Sequence, residues 1–139
     1  AELYLCGKGG LCGDLEEQVR KLDIEESVTF LGHVPYDEMP KVYRSGDVLV
    51  LPSRAEGVPR TVLEAMASGT RVITSQLEQI EDIVDAGGQT VEHMSDRALG
   101  RAILESLDGT TTDGRREVED HQWWSTVKET TACLESIVY

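Results

Sequence analysis

Two carboxylates, Glu56 and Glu64, flank the start of a predicted helix in the stretch EGVPRTVLEAMASG, residues 56–69. A carboxylate can accept two hydrogen bonds from a vicinal diol, or it can face positive charge that develops during a reaction. Packing explains the apolar residues of this stretch, but it does not explain the two acids. The pair is therefore the first candidate for a site that binds hydroxyl groups.

The residues between the two acids are typical of a helix start that binds anions. Gly57 permits unusual backbone angles, and the ring of Pro59 presets the φ angle of a first helical turn. The backbone amides of Gly57, Val58, Arg60 and Thr61 would point out of the helix start, and the Arg60 side chain adds a positive charge. The sequence therefore predicts an anion site here.

Glu64 follows Arg60 by four residues and Thr61 by three, which places all three on one helix face. A carboxylate in that position can bind a diol such as a ribose, while Glu56 can bind a hydroxyl or face a positive charge. The alternative is an acid that stabilises the helix dipole together with a solvated glutamate. The spacing by itself leaves both interpretations open.

The elements that must position these residues alternate between strands and helices. Short apolar runs, typical of strands buried on both faces of a parallel sheet, are LYLCG, VTFLGHV, DVLVLPS and RVITS. Helical patterns separate them, with Asp14 as the expected N-cap of the first helix and Gly69 as the expected end of the third. The pattern predicts an α/β fold with a doubly wound parallel sheet, Rossmann-like, with helices on both faces.

Other catalytic motifs are incomplete. The run CGKGGLCGDL sits where a dinucleotide fingerprint would, but its third glycine position is Cys12, and His33 stands where a ribose-binding acid would end the next strand. The three histidines have no metal-ligand spacing, and no GxSxG elbow is present. His33 is conceivable as a general base, but a backbone contact is the favoured role.

The net charge of −13, from 26 acidic and 13 basic residues, excludes nucleic acids and anionic membranes as expected partners. It fits either a solvated acidic surface or adaptation to a high-salt cytoplasm. Three cysteines without CxxC spacing indicate neither a disulfide framework nor a zinc site. The sequence contains no signal peptide and no apolar stretch of membrane-spanning length, so a cytoplasmic protein is expected.

The stretch PSRAEGVPRTVLEAMASGTRVITS closely resembles the sugar-donor signature of retaining glycosyltransferases of the GT-B fold, the group 1 or GT4-like family. The Glu56-to-Glu64 spacing matches the Glu-x7-Glu pattern of that family. The flanking segments LYLCGKGG and VTFLGHVPYDEMPKVYRSGDVLVLPS resemble the family in the same order. The segment WWSTVKETTACLESIVY is similar to the terminal helix of the family, with its early Trp and final Tyr, so the resemblance covers essentially the whole chain. It implies that the sequence is the C-terminal half of a GT-B fold.

The resemblance also implies a role for each candidate residue. Glu56 would contact the transferred sugar and stabilise an oxocarbenium-like transition state, and Glu64 would bind the ribose of the nucleotide. The remaining residues would contact other parts of a nucleotide-diphospho-sugar. The diphosphate or the sugar would be bound by Gly57, Val58, Pro59, Arg60 and Thr61. The base would be contacted by His33 and Val34. The family needs no metal or other cofactor for this step.

The sequence also departs from the family. It lacks the Arg and Lys that clamp the diphosphate and the N-terminal domain that binds the acceptor, so residues 1–139 are expected to be one excised nucleotide-sugar-binding domain that lacks its first elements and is inactive alone. Two alternatives stay open. One is a non-catalytic α/β interaction or regulatory module, and the other is a nucleotide-sugar or phosphosugar epimerase of GT-B shape.

Overall fold

The computed structural model describes residues 1–55, 57, 59–76, 84, 88–92 and 95–108. The chain divides into two compact units, Ala1–Met39 and Pro40–Tyr139, and each contains its own parallel β-sheet. The predicted alternation of strands and helices is confirmed in both units. The segments LEQIEDIVDAGG (77–88) and REVEDHQWWSTVKETTACLESIVY (116–139) also have helical sequence patterns, but most of the first and all of the second lie outside the described residues. Among the described helices, none is long and apolar enough to cross a bilayer.

The first unit is a β-α-β arrangement. Strand β1 (Leu3–Cys6) pairs in parallel with strand β2 (Val28–Gly32), and helix α1 (Cys12–Lys21) lies between them in the chain. A 3₁₀ turn, Glu25–Ser27, leads into β2. A parallel pair needs such a crossover because two parallel strands cannot be joined by a tight turn.

The start of α1 differs from the prediction. The expected N-cap, Asp14, lies inside the first turn, and the N-cap position is occupied by Leu11, which forms no side-chain cap. The helix begins earlier because the amide of Cys12 donates to the carbonyl of Gly9, 3.2 Å away, and this turn runs directly into the helix. Asp14 still lies where a carboxylate stabilises the helix dipole.

Among its described residues, the second unit contains three parallel strands in the order β3 (Val48–Leu51), β4 (Arg71–Ser75) and β5 (Gly88–Val91). The central strand, β4, is buried on both faces, since the successive residues Val72 and Ile73 are both inaccessible and point to opposite sides. Its position between two parallel partners explains its continuous apolar sequence.

The helices of this unit whose bounds the structure describes are α2 (Met39–Ser45), which begins at the last residue of the first unit, α3 (Arg60–Ala67) and α4 (Asp96–Leu107). In the hydrophobic core, Ala102 of α4 packs with Ile73 of β4. Pro40 lies in the first turn of α2. It is tolerated there because the amides of a first turn have no partner within the helix.

Helix α3 ends as the sequence predicts. Gly69 adopts the left-handed conformation, with a φ of 81°, and its amide donates to the carbonyl of Met66 at 2.9 Å. The amide of Thr70 donates to the carbonyl of Ala65, also at 2.9 Å. This pair of bonds is a Schellman motif, which turns the chain sharply from α3 into β4.

Candidate functional site

The loop between β3 and α3 begins at the carboxyl end of β3, the edge of an open α/β sheet where ligands bind. The hydroxyl of Ser75, the last residue of β4, donates to the carbonyl of Ser53 in this loop. The bond ties the beginning of the loop to the end of the neighbouring strand. Glu56 and Val58 lie outside the described residues, and their roles stay predictions.

The start of α3 has the backbone expected of an anion site, with one difference. Pro59 is buried and takes the N-cap position with an extended ψ of 100°, one residue before the first turn in which it was expected. Arg60 and Thr61 therefore provide the first two amides of the helix, and the amide of Val62 donates to the carbonyl of Pro59 at 3.0 Å. An exposed helix start of this kind attracts negative charge.

Gly57 is exposed, and its φ lies outside the left-handed range. The unusual backbone angle for which the glycine was expected is therefore absent. A Cβ atom at this position would have no neighbour within 4 Å.

Glu64 is held by two neighbours. Its Oε2 atom accepts a hydrogen bond from the hydroxyl of Tyr43 at 3.1 Å, and its Oε1 atom lies 3.6 Å from Nη2 of Arg60. The shared helix face of Arg60 and Glu64 is thus observed. The Glu64 side chain is 25% exposed, whereas that of Arg60 is 75% exposed. The carboxylate is fixed, but a ligand can still reach it.

Tyr43 is the residue that the sequence analysis missed. It is 5% exposed, and its backbone carbonyl accepts a hydrogen bond of 2.6 Å from the hydroxyl of Thr70. The helical spacing of Met39, Val42 and Tyr43 in the sequence predicts that they share one apolar face of a helix, and Tyr43 is indeed buried. The only further signal was its phenol group, because a buried tyrosine hydroxyl needs a polar partner. Nothing in the sequence identified that partner as Glu64.

In the first unit, His33 and Val34 directly follow β2. His33 is exposed, and Val34 is half-buried. The carbonyl of Gly32 accepts a hydrogen bond of 2.7 Å from the amide of Gly7, which follows β1. Both glycines have positive φ angles, 64° and 132°, so the chain turns at the carboxyl ends of two adjacent strands. The glycine-rich turn and His33 therefore lie at the same edge of this small sheet.

The part of the chain that the structure describes holds no group of three His, Cys, Asp or Glu residues that could bind a metal ion. Cys6 lies next to the glycine-rich turn. Although the residue as a whole is exposed, burial around its sulfur raises the pKa of the Cys6 thiol. A raised pKa disfavours the thiolate, so Cys6 is a poor candidate nucleophile.

Residues 1–108 match the family model described as "Glycosyl transferases group 1". The protein EpsF of Bacillus subtilis, which is named as a glycosyltransferase, is 39% identical over 94 residues, or 68% of this chain and 23% of its own length. The chain spans about a quarter of the curated relatives it matches.

Solved structures agree with this match. HepE of Anabaena, in complex with UDP and glucose, has a TM-score of 0.83 and 21% identity, over 97% of this chain and 40% of that chain. The C-terminal domain of the group 1 family glycosyl transferase LpcC from Francisella tularensis has a TM-score of 0.67 and 26% identity, over 77% of this chain and 60% of that domain. The predicted α/β fold is confirmed, and it is the fold of a C-terminal domain in this group.

Proposed function

The chain belongs to the group 1 glycosyltransferases, and from this premise we propose that it is the nucleotide-sugar-binding domain of a retaining, GT4-like glycosyltransferase. The observation that supports this function is the arrangement of Glu64. Its carboxylate is fixed by Tyr43 and remains accessible, and it lies one turn inside a helix whose start follows the carboxyl end of β3.

In the proposed complex, the ribose hydroxyls of the nucleotide donate to Glu64. A carboxylate offers about four lone-pair positions on two oxygens, so it can keep the Tyr43 bond and still accept both hydroxyls of a diol. The diphosphate binds at the start of α3, where the amides of Arg60 and Thr61 and the mobile charge of Arg60 favour an anion. Gly57, Val58 and Pro59 complete this loop.

Glu56 is assigned to the transferred sugar. In the proposed reaction, the bond between the anomeric carbon and the diphosphate breaks, and the nucleoside diphosphate leaves with the electron pair. A bond forms from the anomeric carbon to an acceptor oxygen, and the proton of that oxygen passes to the departing diphosphate. A carboxylate near the ring stabilises the positive charge that develops in an oxocarbenium-like transition state. The helix start and Arg60 neutralise the leaving diphosphate, and the reaction needs no metal ion.

His33 and Val34 are assigned to the base of the nucleotide, and the acceptor is assigned to another domain of the whole protein. HepE was solved with UDP and glucose, which supports a nucleoside diphosphate and its sugar as the ligand class for this domain. The free thiols of Cys6 and Cys12 suit a reducing compartment, so the proposed location is the cytoplasm. The net charge of −13 further suggests a cytoplasm of high salt content.

Isothermal titration calorimetry tests the proposal on the protein as it occurs, with any flanking sequence retained. UDP, GDP and ADP and their glucose and mannose conjugates are the probes. Glu64→Gln keeps the shape of the side chain but removes its charge, and we expect it to weaken binding of the recognised nucleotide about ten- to a hundredfold. Glu56→Gln should weaken binding of the sugar conjugate and reduce the rate of sugar transfer, while the nucleotide itself still binds.

Glu17→Gln is the matched control. Glu17 forms the same i, i+4 ion pair on α1, 2.6 Å from Lys21, and lies outside the proposed site. It should bind nucleotides like the unaltered protein. The proposal is wrong if the unaltered protein binds none of the probes, or if Glu64→Gln behaves like the control.

A further inference from the structure

We propose that Tyr43 is a positioning residue, whose hydroxyl holds the Glu64 carboxylate in the orientation that distinguishes a ribose from a sugar without hydroxyls at C2′ and C3′. The inference rests on the proposed function, because it assumes that Glu64 faces the ribose. It adds a residue that does not itself contact the ligand. Its basis is the set of hydrogen bonds that joins Tyr43 of α2 to Glu64 of α3 and to Thr70, in the turn that follows α3.

The hydrogen bond between Tyr43 and Glu64 is partly buried, and its donor side is almost fully removed from water. The phenol oxygen lies 3.1 Å from Oε2, in a residue that is only 5% exposed. A charged acceptor makes this bond stronger than one between neutral groups. The ion pair of Arg60 with Oε1 is longer, at 3.6 Å, and its guanidinium is 75% exposed, so solvent screens it. Tyr43 therefore determines the orientation of the carboxylate more than Arg60 does.

Tyr43 can act in this way because it is itself fixed to the same helix. Its carbonyl accepts the hydroxyl of Thr70 at 2.6 Å, and the amide of Thr70 donates to the carbonyl of Ala65 at 2.9 Å. Ala65 is the residue after Glu64. The bonds thus form a closed ring from α3 through Thr70 and Tyr43 back to α3. A phenol held in this ring cannot follow a carboxylate that moves, so it restricts Glu64 to one position.

The two carboxylate oxygens of Glu64 have different hydrogen-bonding and ion-pair partners. Oε2 is engaged by a buried hydrogen-bond donor, and Oε1 faces the exposed guanidinium. The hydroxyls of an incoming ribose can replace the Arg60 guanidinium at Oε1 and bind the carboxylate in the orientation that Tyr43 sets. Without the Tyr43 hydroxyl, the carboxylate can rotate, and part of the ribose binding energy is lost in ordering it.

The test compares ribose and dideoxyribose ligands. Dissociation constants for UDP, GDP and ADP are measured beside those of their 2′,3′-dideoxy counterparts, on the protein as it occurs. The unaltered protein should prefer the ribose form of its nucleotide about ten- to a hundredfold. Tyr43→Phe keeps the buried ring and should reduce this preference about three- to tenfold, with the affinity for the dideoxy form unchanged. In a Glu64→Gln background, Tyr43→Phe should have no further effect.

Two controls separate positioning from folding. Tyr4→Phe removes an exposed phenol that also donates to a carboxylate, Glu2 at 2.7 Å, and it should leave the preference intact. If Tyr43→Phe does not fold, as judged by circular dichroism, Thr70→Val provides the test. It removes the hydroxyl that fixes the Tyr43 carbonyl, and it should also lower the preference.

The outcomes distinguish the inference from the proposed function. The proposed function fails if the unaltered protein binds no nucleotide, or if Glu64→Gln does not alter the ribose preference. The inference alone fails if Glu64→Gln removes the preference and Tyr43→Phe leaves it unchanged. It also fails if Tyr43→Phe weakens the ribose and dideoxy forms equally, because a purely structural tyrosine would have that effect.

Discussion

Replacing Gly88 with alanine should strongly destabilise the second unit. Gly88 is the first residue of β5 and is the register partner of Val72 in β4. A Cβ atom at Gly88 would lie 2.4 Å from Cγ2 of Val72, 2.6 Å from the carbonyl oxygen of Val72 and 3.1 Å from Cγ1 of Val84. A rotation of the valine side chain could relieve the first contact. The second involves the backbone of the central strand, which can move only if the β4–β5 pairing is disturbed.

We expect Gly88→Ala to lower the free energy of unfolding by about 3 kcal/mol, the upper part of the usual range for overpacking. This loss corresponds to a fall of about 10 °C in Tm for a domain of this size. The matched control is Gly100→Ala in α4, where a Cβ atom would meet nothing within 4 Å. There, the better helix propensity of alanine should raise stability by up to about 1 kcal/mol.

Urea and thermal unfolding, followed by far-ultraviolet circular dichroism, measure both variants. The same substitution should thus change stability in opposite directions at two glycines of one unit. If Gly88→Ala unfolds within about 0.5 kcal/mol of the unaltered protein, the ordinary range for neutral surface changes, the close approach of β5 to β4 is wrong.

Three further predictions concern stability. Asp23→Gly should raise the free energy of unfolding by about 0.5 kcal/mol in urea unfolding, because Asp23 ends α1 with a left-handed φ of 54° that glycine adopts without strain; a loss of stability would contradict this. Thr74→Val should raise the free energy of unfolding by about 1 kcal/mol, since the buried Thr74 hydroxyl has no hydrogen-bond partner within the described residues. Thr74→Ser keeps the hydroxyl and should not raise the stability. An equal gain in both variants would refute the reasoning. Raising KCl from about 0.1 M to about 2 M should increase Tm, because salt screens the repulsion within a chain of net charge −13; an unchanged Tm would exclude the high-salt hypothesis.

The strands could be located from the sequence, but their burial could not. Each of the apolar runs that predicted β1, β2, β3 and β4 contains a strand. Burial on both faces was expected for all of them, yet β1 is mostly exposed, β2 alternates between half-buried and exposed residues, and only β4 is largely inaccessible. The reason is that an apolar run indicates only that burial of the strand would be favourable. The covering is supplied by neighbouring elements, and these are fixed by the fold of the whole unit.

Helix ends show a similar limit. Gly69 was predicted correctly because few residues other than glycine tolerate the left-handed conformation that ends α3. Asp23 ends α1 in the same conformation but gives no such signal, since an aspartate is equally common in turns and first helical turns. The predicted start of α1 was wrong for a related reason. A polar residue at the correct distance, Asp14, looked like a cap, but the backbone turn from Gly9 starts the helix earlier.

The candidate site shows which contacts of Glu64 can be predicted from the spacing of residues in the sequence. The pairing of Arg60 with Glu64 follows from a separation of four residues, because such residues are neighbours on any helix. The contact of Tyr43 with Glu64 joins residues 21 apart and depends on how α2 packs beside α3. Spacing therefore found the weaker partner: an exposed i, i+4 ion pair stabilises by about 0.3–0.5 kcal/mol, whereas a hydrogen bond to a charged group contributes about 1.5–3 kcal/mol. The residue that the sequence could not identify is the one expected to determine the orientation of the carboxylate. It follows that Arg60 should influence nucleotide affinity through the charge of the diphosphate, and Tyr43 through the ribose.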